Sequence, residues 1–99
     1  MSPTAREARE TIISYYDQLG YDVVALELGN IQRIPVSDRV FGGSPTYTIE
    51  VKSITLADAR TRGVADEKTF TGAAVRIRER EELRGRTWIV TDVANIPAA

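Results

Sequence analysis

Neither cysteine nor histidine occurs in this 99-residue chain. The first absence excludes a disulfide framework and a thiolate metal site. The second removes the imidazole base and the usual zinc ligands. Any catalysis must then rest on Asp, Glu, Lys, Ser, Thr or Tyr. Any metal must be held by oxygen, which points to Mg²⁺ or Mn²⁺. Long apolar runs are missing too, and none approaches the ~20 residues of a membrane span. The opening stretch MSPTAREARE is charged where a signal peptide would be apolar. A cytoplasmic protein without membrane association is therefore expected. Net charge is only −1, so no global basic field draws in nucleic acid.

What remains is ample for folding. Hydrophobic residues make up 42% of the chain, enough for one core and one domain over 1–99. Thr4 and Glu7 form a capping box, and Ala8, Ile12, Tyr15, Tyr16 and Leu19 follow at helical spacing. Gly20 then fits the residue that ends a helix. Residues 21–28, YDVVALEL, read as a strand, and Gly29-Asn30 as a turn. A second strand over 31–41, a turn at 42–45 and a third strand over 46–54 complete a meander. Phe70, Ala73, Ala74 and Ile77 make a helical stripe, so a second helix is predicted over about 67–84, with Gly85 as its stop. Val75 and Ile77 also alternate with Arg76 and Arg78, a strand-like signal that the length of the segment outweighs. Residues 86–93 form a last strand, arriving parallel after the helical crossover, and 94–99 a frayed tail. The expected fold is α/β (α+β): one small mixed sheet flanked by helices, in the order α-β-β-β-α-β.

Within the third strand stands TYTIEVKS, residues 46–53. Glu50 and Lys52 are two apart and share a face in a regular strand, while Ile49 and Val51 point into the core. A solvated cross-strand ion pair would explain them. So would chemistry: two carboxylates, a backbone carbonyl and an ammonium suit metal-assisted phosphodiester hydrolysis. Asp38 lies on the preceding strand and can supply the second carboxylate. The arginines Arg76, Arg78, Arg80, Arg84 and Arg86 crowd one stretch with Glu79, Glu81 and Glu82 among them. They read as a salt-bridged helix surface or as a phosphate-contacting patch.

This order of elements, with Asp38 ahead of Ile49-Glu50-Val51-Lys52, resembles the PD-(D/E)xK nuclease superfamily, the restriction-endonuclease-like fold. The nearest likeness is to YraN-like proteins and archaeal Holliday-junction resolvases, in which a glutamate-bearing helix runs into a Gly-Tyr strand, as Glu10 and Gly20-Tyr21 do here. The resemblance implies that Asp38 and Glu50 bind Mg²⁺ or Mn²⁺, that Val51 lends its carbonyl, and that Lys52 acts on the attacking water. Glu10, or failing that Glu7, would stand near a second metal. Arg60, Arg62 and Lys68 would face DNA phosphates. Here Asp38 is flanked by Ser37 and Arg39 instead of the usual apolar segment. The implied activity is a DNA endonuclease acting on branched or flapped substrates, as a homodimer or with a larger partner, because so small a domain has little surface to grip a duplex. The alternative from the residues is a non-catalytic binding module, either a degenerate nuclease fold or a small phage- or immunity-type inhibitor that docks a protein.

Overall fold

A computed structural model describes residues 2–34, 45–60, 67–82 and 85–96. The first helix, α1, runs from Ala5 to Gln18 and is closed at its N-terminus by the expected box. The Glu7 amide donates to the Thr4 hydroxyl at 3.1 Å, and the Thr4 amide donates to the Glu7 carboxylate at 2.9 Å. Such a box satisfies two of the orphan donors of a first turn and is worth about 1 kcal/mol. Leu19 caps the other end, and Gly20 takes φ 91°, the left-handed conformation that glycine tolerates best.

Among the described residues four strands follow α1: β1 (Tyr21–Arg33), β2 (Thr46–Asp58), β3 (Lys68–Glu82) and β4 (Gly85–Ala94). They form one antiparallel sheet in the order β1-β2-β3-β4. The expected α-β-β-β-α-β order and mixed sheet are thus corrected to α-β-β-β-β and an antiparallel meander. The segment predicted as a second helix is β3. With no crossover, β4 returns beside β3 antiparallel. The strands expected at 21–28 and 31–41 are joined at least as far as Arg33, because Gly29-Asn30 lies within β1 and makes no turn. Residues 35–44 lie outside the described residues.

The reason for the misread helix is phase. Buried side chains on one strand should recur every two residues. Here the core-facing residues of β1 are Tyr21, Val23, Leu26, Leu28 and Ile31, with gaps of two, three, two and three. The register between β1 and β2 shifts at Val23/Ala25, Glu27/Leu28 and Leu28/Ile31. At each shift one strand carries an extra residue, a β-bulge, so side chains three apart return to the same face. Similarly, Val51 and Ile54 are both buried, as are Ala73 and, in part, Phe70. Lys52 is the extra residue of β2 against β1, and Gly72, opposite it on β3 in an unbroken β2–β3 register, adopts φ 63°. In β4 the shift opposite Arg76/Ile77 leaves Thr91 unpaired and brings Val90 and Val93 into phase. A stripe of three- and two-residue gaps imitates helical spacing, and that is what Phe70, Ala73 and Ile77 did.

These bulges give the sheet a single apolar face. Ala8, Ile12 and Tyr16 of α1 pack onto it against Tyr47, Ile49, Val51, Ile54, Val75 and Ile77. The helix rests on both edge strands, β1 and β4. Beyond β4, Asn95 takes φ 63° and its side-chain amide donates to the Gly72 carbonyl at 3.1 Å. Ile96 thereby folds back into the core.

Candidate functional site

Because Ile49 and Val51 are fully buried on the helix side, Glu50 between them emerges on the opposite face of the sheet. Its carboxylate reaches across to β1 and accepts the Asn30 amide at 2.9 Å. Asn30 belongs to the Gly29-Asn30 bulge, where one amide loses its ladder partner. Glu50 supplies the replacement. Gly29 makes room for it, since a Cβ there would collide with the Glu50 carboxylate. Glu50 therefore supports the bulge, a contact that neither of its sequence-based readings foresaw. A glycine-asparagine pair opposite a glutamate was the available signal.

The other site residues are dispersed. Asp38 and Arg62 lie outside the described residues. Val51 is buried between Leu28 and Ala73. Lys52 is exposed, and no ion pair joins it to Glu50 among the described residues. Glu10 is on the solvent side of α1, paired with Arg6 at 3.1 Å. The sheet stands between Glu10 and Glu50, so the two cannot share a metal. Glu7 is engaged by the cap and by the Trp88 indole, which donates to it at 3.2 Å. Arg60 follows β2 and pairs with Asp58, while Lys68 begins β3 across the same hairpin. Eight residue steps of strand run from Glu50 to Asp58, a span of about 25 Å. Arg60 and Lys68 are thus far from Glu50. Among the described residues no three Asp or Glu side chains gather where a metal could bind.

Arg76, Arg78 and Arg80 are all exposed, and their alternation places them along one line on the outer face of β3. Thr46, Thr48, Thr87, Ile89 and Asp92 are their cross-strand neighbours. The row is a solvated sheet surface, with Asp92 directly opposite Arg76.

A different feature gathers apolar side chains with open backbone. Two hollows, of about 280 and 300 Å³, lie between α1 and β4. Tyr15 and Val90 line both, so the two hollows adjoin. Leu19, Val93 and Ile96 line the pair at one end and Trp88 at the other. The ring of Trp88 is fixed by Glu7 and by an edge-on contact with Tyr47 at 5.6 Å between centroids. Beneath the groove, burial pushes the Tyr16 phenol from 10.0 up to about 12, with the adjacent Tyr15 adding to the effect. Its floor along one side is β4, an edge strand whose only sheet neighbour among the described residues is β3.

Comparisons with known proteins leave the chain on its own: no family model, curated protein or solved structure matches it. Among the described residues, no helix is long and apolar enough to cross a membrane.

Proposed function

We propose that this chain is a non-catalytic protein-interaction domain that accepts an extended segment along the free edge of β4. The observation that carries this reading is a pair of adjoining hollows of mixed lining, with Tyr15, Leu19, Val90 and Val93 beside Thr11, Ser14, Gln18 and Asp92, along a strand edge that no other described strand pairs. Backbone amides and carbonyls of an edge supply affinity to an added strand, and adjacent pockets select alternate side chains. Aromatic and aliphatic walls such as Tyr15, Leu19 and Val90 are the anchors such a site needs. The carboxylates available to hydrolysis support this reading indirectly, since Glu50 holds a bulge and Glu7 holds a cap and an indole.

A displayed library of random twelve-residue peptides, panned against the immobilised protein, tests the proposal. Binders should lose at least about tenfold in affinity for Leu19→Lys and keep it for Thr71→Lys on the outer face. In parallel, Mn²⁺ titration should leave the thermal midpoint unchanged. Binders indifferent to Leu19→Lys would move the site elsewhere. Metal stabilisation abolished by Asp38→Ala or Glu50→Ala would return the protein to the nuclease reading.

A further inference from the structure

On the face of the sheet turned away from α1, charge is sorted by position. Arg76, Arg78 and Arg80 recur at every second residue of β3, a repeat of about 7 Å. β3 is paired on both sides, with β2 and β4, so these charges stand mid-sheet and protect no edge. Among the described residues the Arg76 and Arg78 guanidinium groups make no ion pair, although Asp92 stands opposite Arg76. Glu50, farther along the neighbouring β2, is turned to the Asn30 amide of β1. Like charges in line repel, and a carboxylate set between them relieves that repulsion. Toward the other end of the face the sign reverses. Asp22 and Glu27 on β1 and Glu50 on β2 each stand between core-facing neighbours and so emerge on this side. The one described helix packs on the opposite side, and no described element covers this face.

We infer that the arginine row is a docking surface for a protein segment that presents carboxylates in extended, alternating order along β3. This goes beyond the strand-accepting edge, since it uses the other face of the sheet and neither hollow. Recognition rests on matched periods. Side chains on one face of an extended segment also recur about every 7 Å, and a guanidinium takes a carboxylate through two parallel hydrogen bonds. Thr46, Thr48 and Thr87 set hydroxyls beside the row, and the half-buried Ile89 opposite Arg78 adds an apolar contact. Two observations favour polypeptide over nucleic acid. The described aromatic side chains all belong to the helix-side core or pack against it, so this face offers bases no stacking platform. A nucleic acid strand is negative along its whole length, and one running on past the arginines would meet Glu50 and Glu27. A polypeptide can change sign where the face does.

The probe is a twelve-residue peptide that alternates glutamate with threonine in its first half and lysine with threonine in its second. An oligothymidylate of equal length is the comparison. Added to the isotope-labelled protein in about 20 mM salt, the peptide should shift the amide resonances around Arg76 and Arg78 and leave those of Tyr15 and Leu19 in place. Arg78→Glu should weaken peptide binding at least about tenfold with an unchanged circular dichroism spectrum. Arg78→Gln should weaken it by less. Arg6→Glu makes the same change in net charge on the solvent side of α1 and should alter binding less than about twofold. Raising the salt to about 300 mM should weaken the wild-type complex several-fold. Equal responses to Arg78→Glu and Arg6→Glu, shifts centred on Leu19, or no shifts at about 1 mM peptide would each overturn the inference. Tighter, Arg78-dependent binding of the oligothymidylate would overturn it too and give the row to nucleic acid. The β4 edge is judged separately, by Leu19→Lys.

Discussion

The edges β1 and β4 flank the same sheet and touch the same helix, yet their construction differs. In β1 the core-facing Leu26 is nearly sealed, at 8% exposure, while Val23, Leu28 and Ile31 are half-buried like the core-facing residues of β4, and the bulge residue Val24 is pushed outward, at 53%. The strand is finished: Glu50 supplies one stray amide with an acceptor, and Arg9 occupies a carbonyl. In β4 the core-facing residues Trp88, Val90 and Val93 are only half-buried, and hollows open beside them. The contrast teaches that a small domain can close one edge with bulges and charges while leaving the other sticky. The closed edge serves stability, and the open one is where an interaction can be sought.

The largest test of this contrast compares two leucines of identical chemistry. Leu26→Ala, on the closed edge, should cost about 2–4 kcal/mol in urea denaturation. Leu19→Ala, beside the open edge, should cost less than about 1 kcal/mol in dilute protein. Equal costs would mean that the β4 groove is already filled. Next is the closure of β1 itself. Glu50→Ala and Gly29→Ala should each cost about 1 kcal/mol, because both dislodge the carboxylate from the Asn30 amide. Together they should cost little more than either alone; simple additivity in the double-mutant cycle would show that Glu50 and Gly29 act separately.

The smallest effect concerns the floor of the open groove. Burial disfavours the Tyr16 phenolate, so the folded protein holds this proton to about 12 while the unfolded chain releases it near 10.0. The resulting stability is complete below pH 10 and is lost as pH rises through 12. Tyr16→Phe should flatten that part of the stability profile, as followed by thermal midpoints across the alkaline range. An unchanged slope would assign the alkaline loss to other groups.

Much of the local structure was legible. Thr4, Glu7 and Gly20 mark both ends of α1, since caps act over three or four residues and need no distant partner. TYTIEVKS lies in β2 as read, and its Ile49 and Val51 face inward as expected. RTWIVTDV falls within β4, though its direction was misjudged once β3 had been taken for a helix. In the candidate site, the residue types were visible and their company was not. Glu50 and Lys52 were read as a pair because regular strands put i and i+2 on one face. The unpaired position of Lys52 and the Asn30 amide opposite Glu50 depend on β1. The groove was illegible for the same reason, since Tyr15 and Val90 meet only when α1 lies across the sheet.

Taken alone, the order of residues settled the first helix and its caps, the exclusion of thiol and imidazole chemistry, and the presence of strands rich in β-branched residues. Tertiary pairing decided that residues 68–82 are a strand, which face each apolar side chain takes, and which edge stays open. The physical reason lies in the bulge. An extra residue exists only relative to the strand beside it, so its effect on phase cannot be computed from one segment. Hydrophobic burial against α1 selects the pairing that brings gaps of two and three onto a common face, and that selection is made by the whole fold at once.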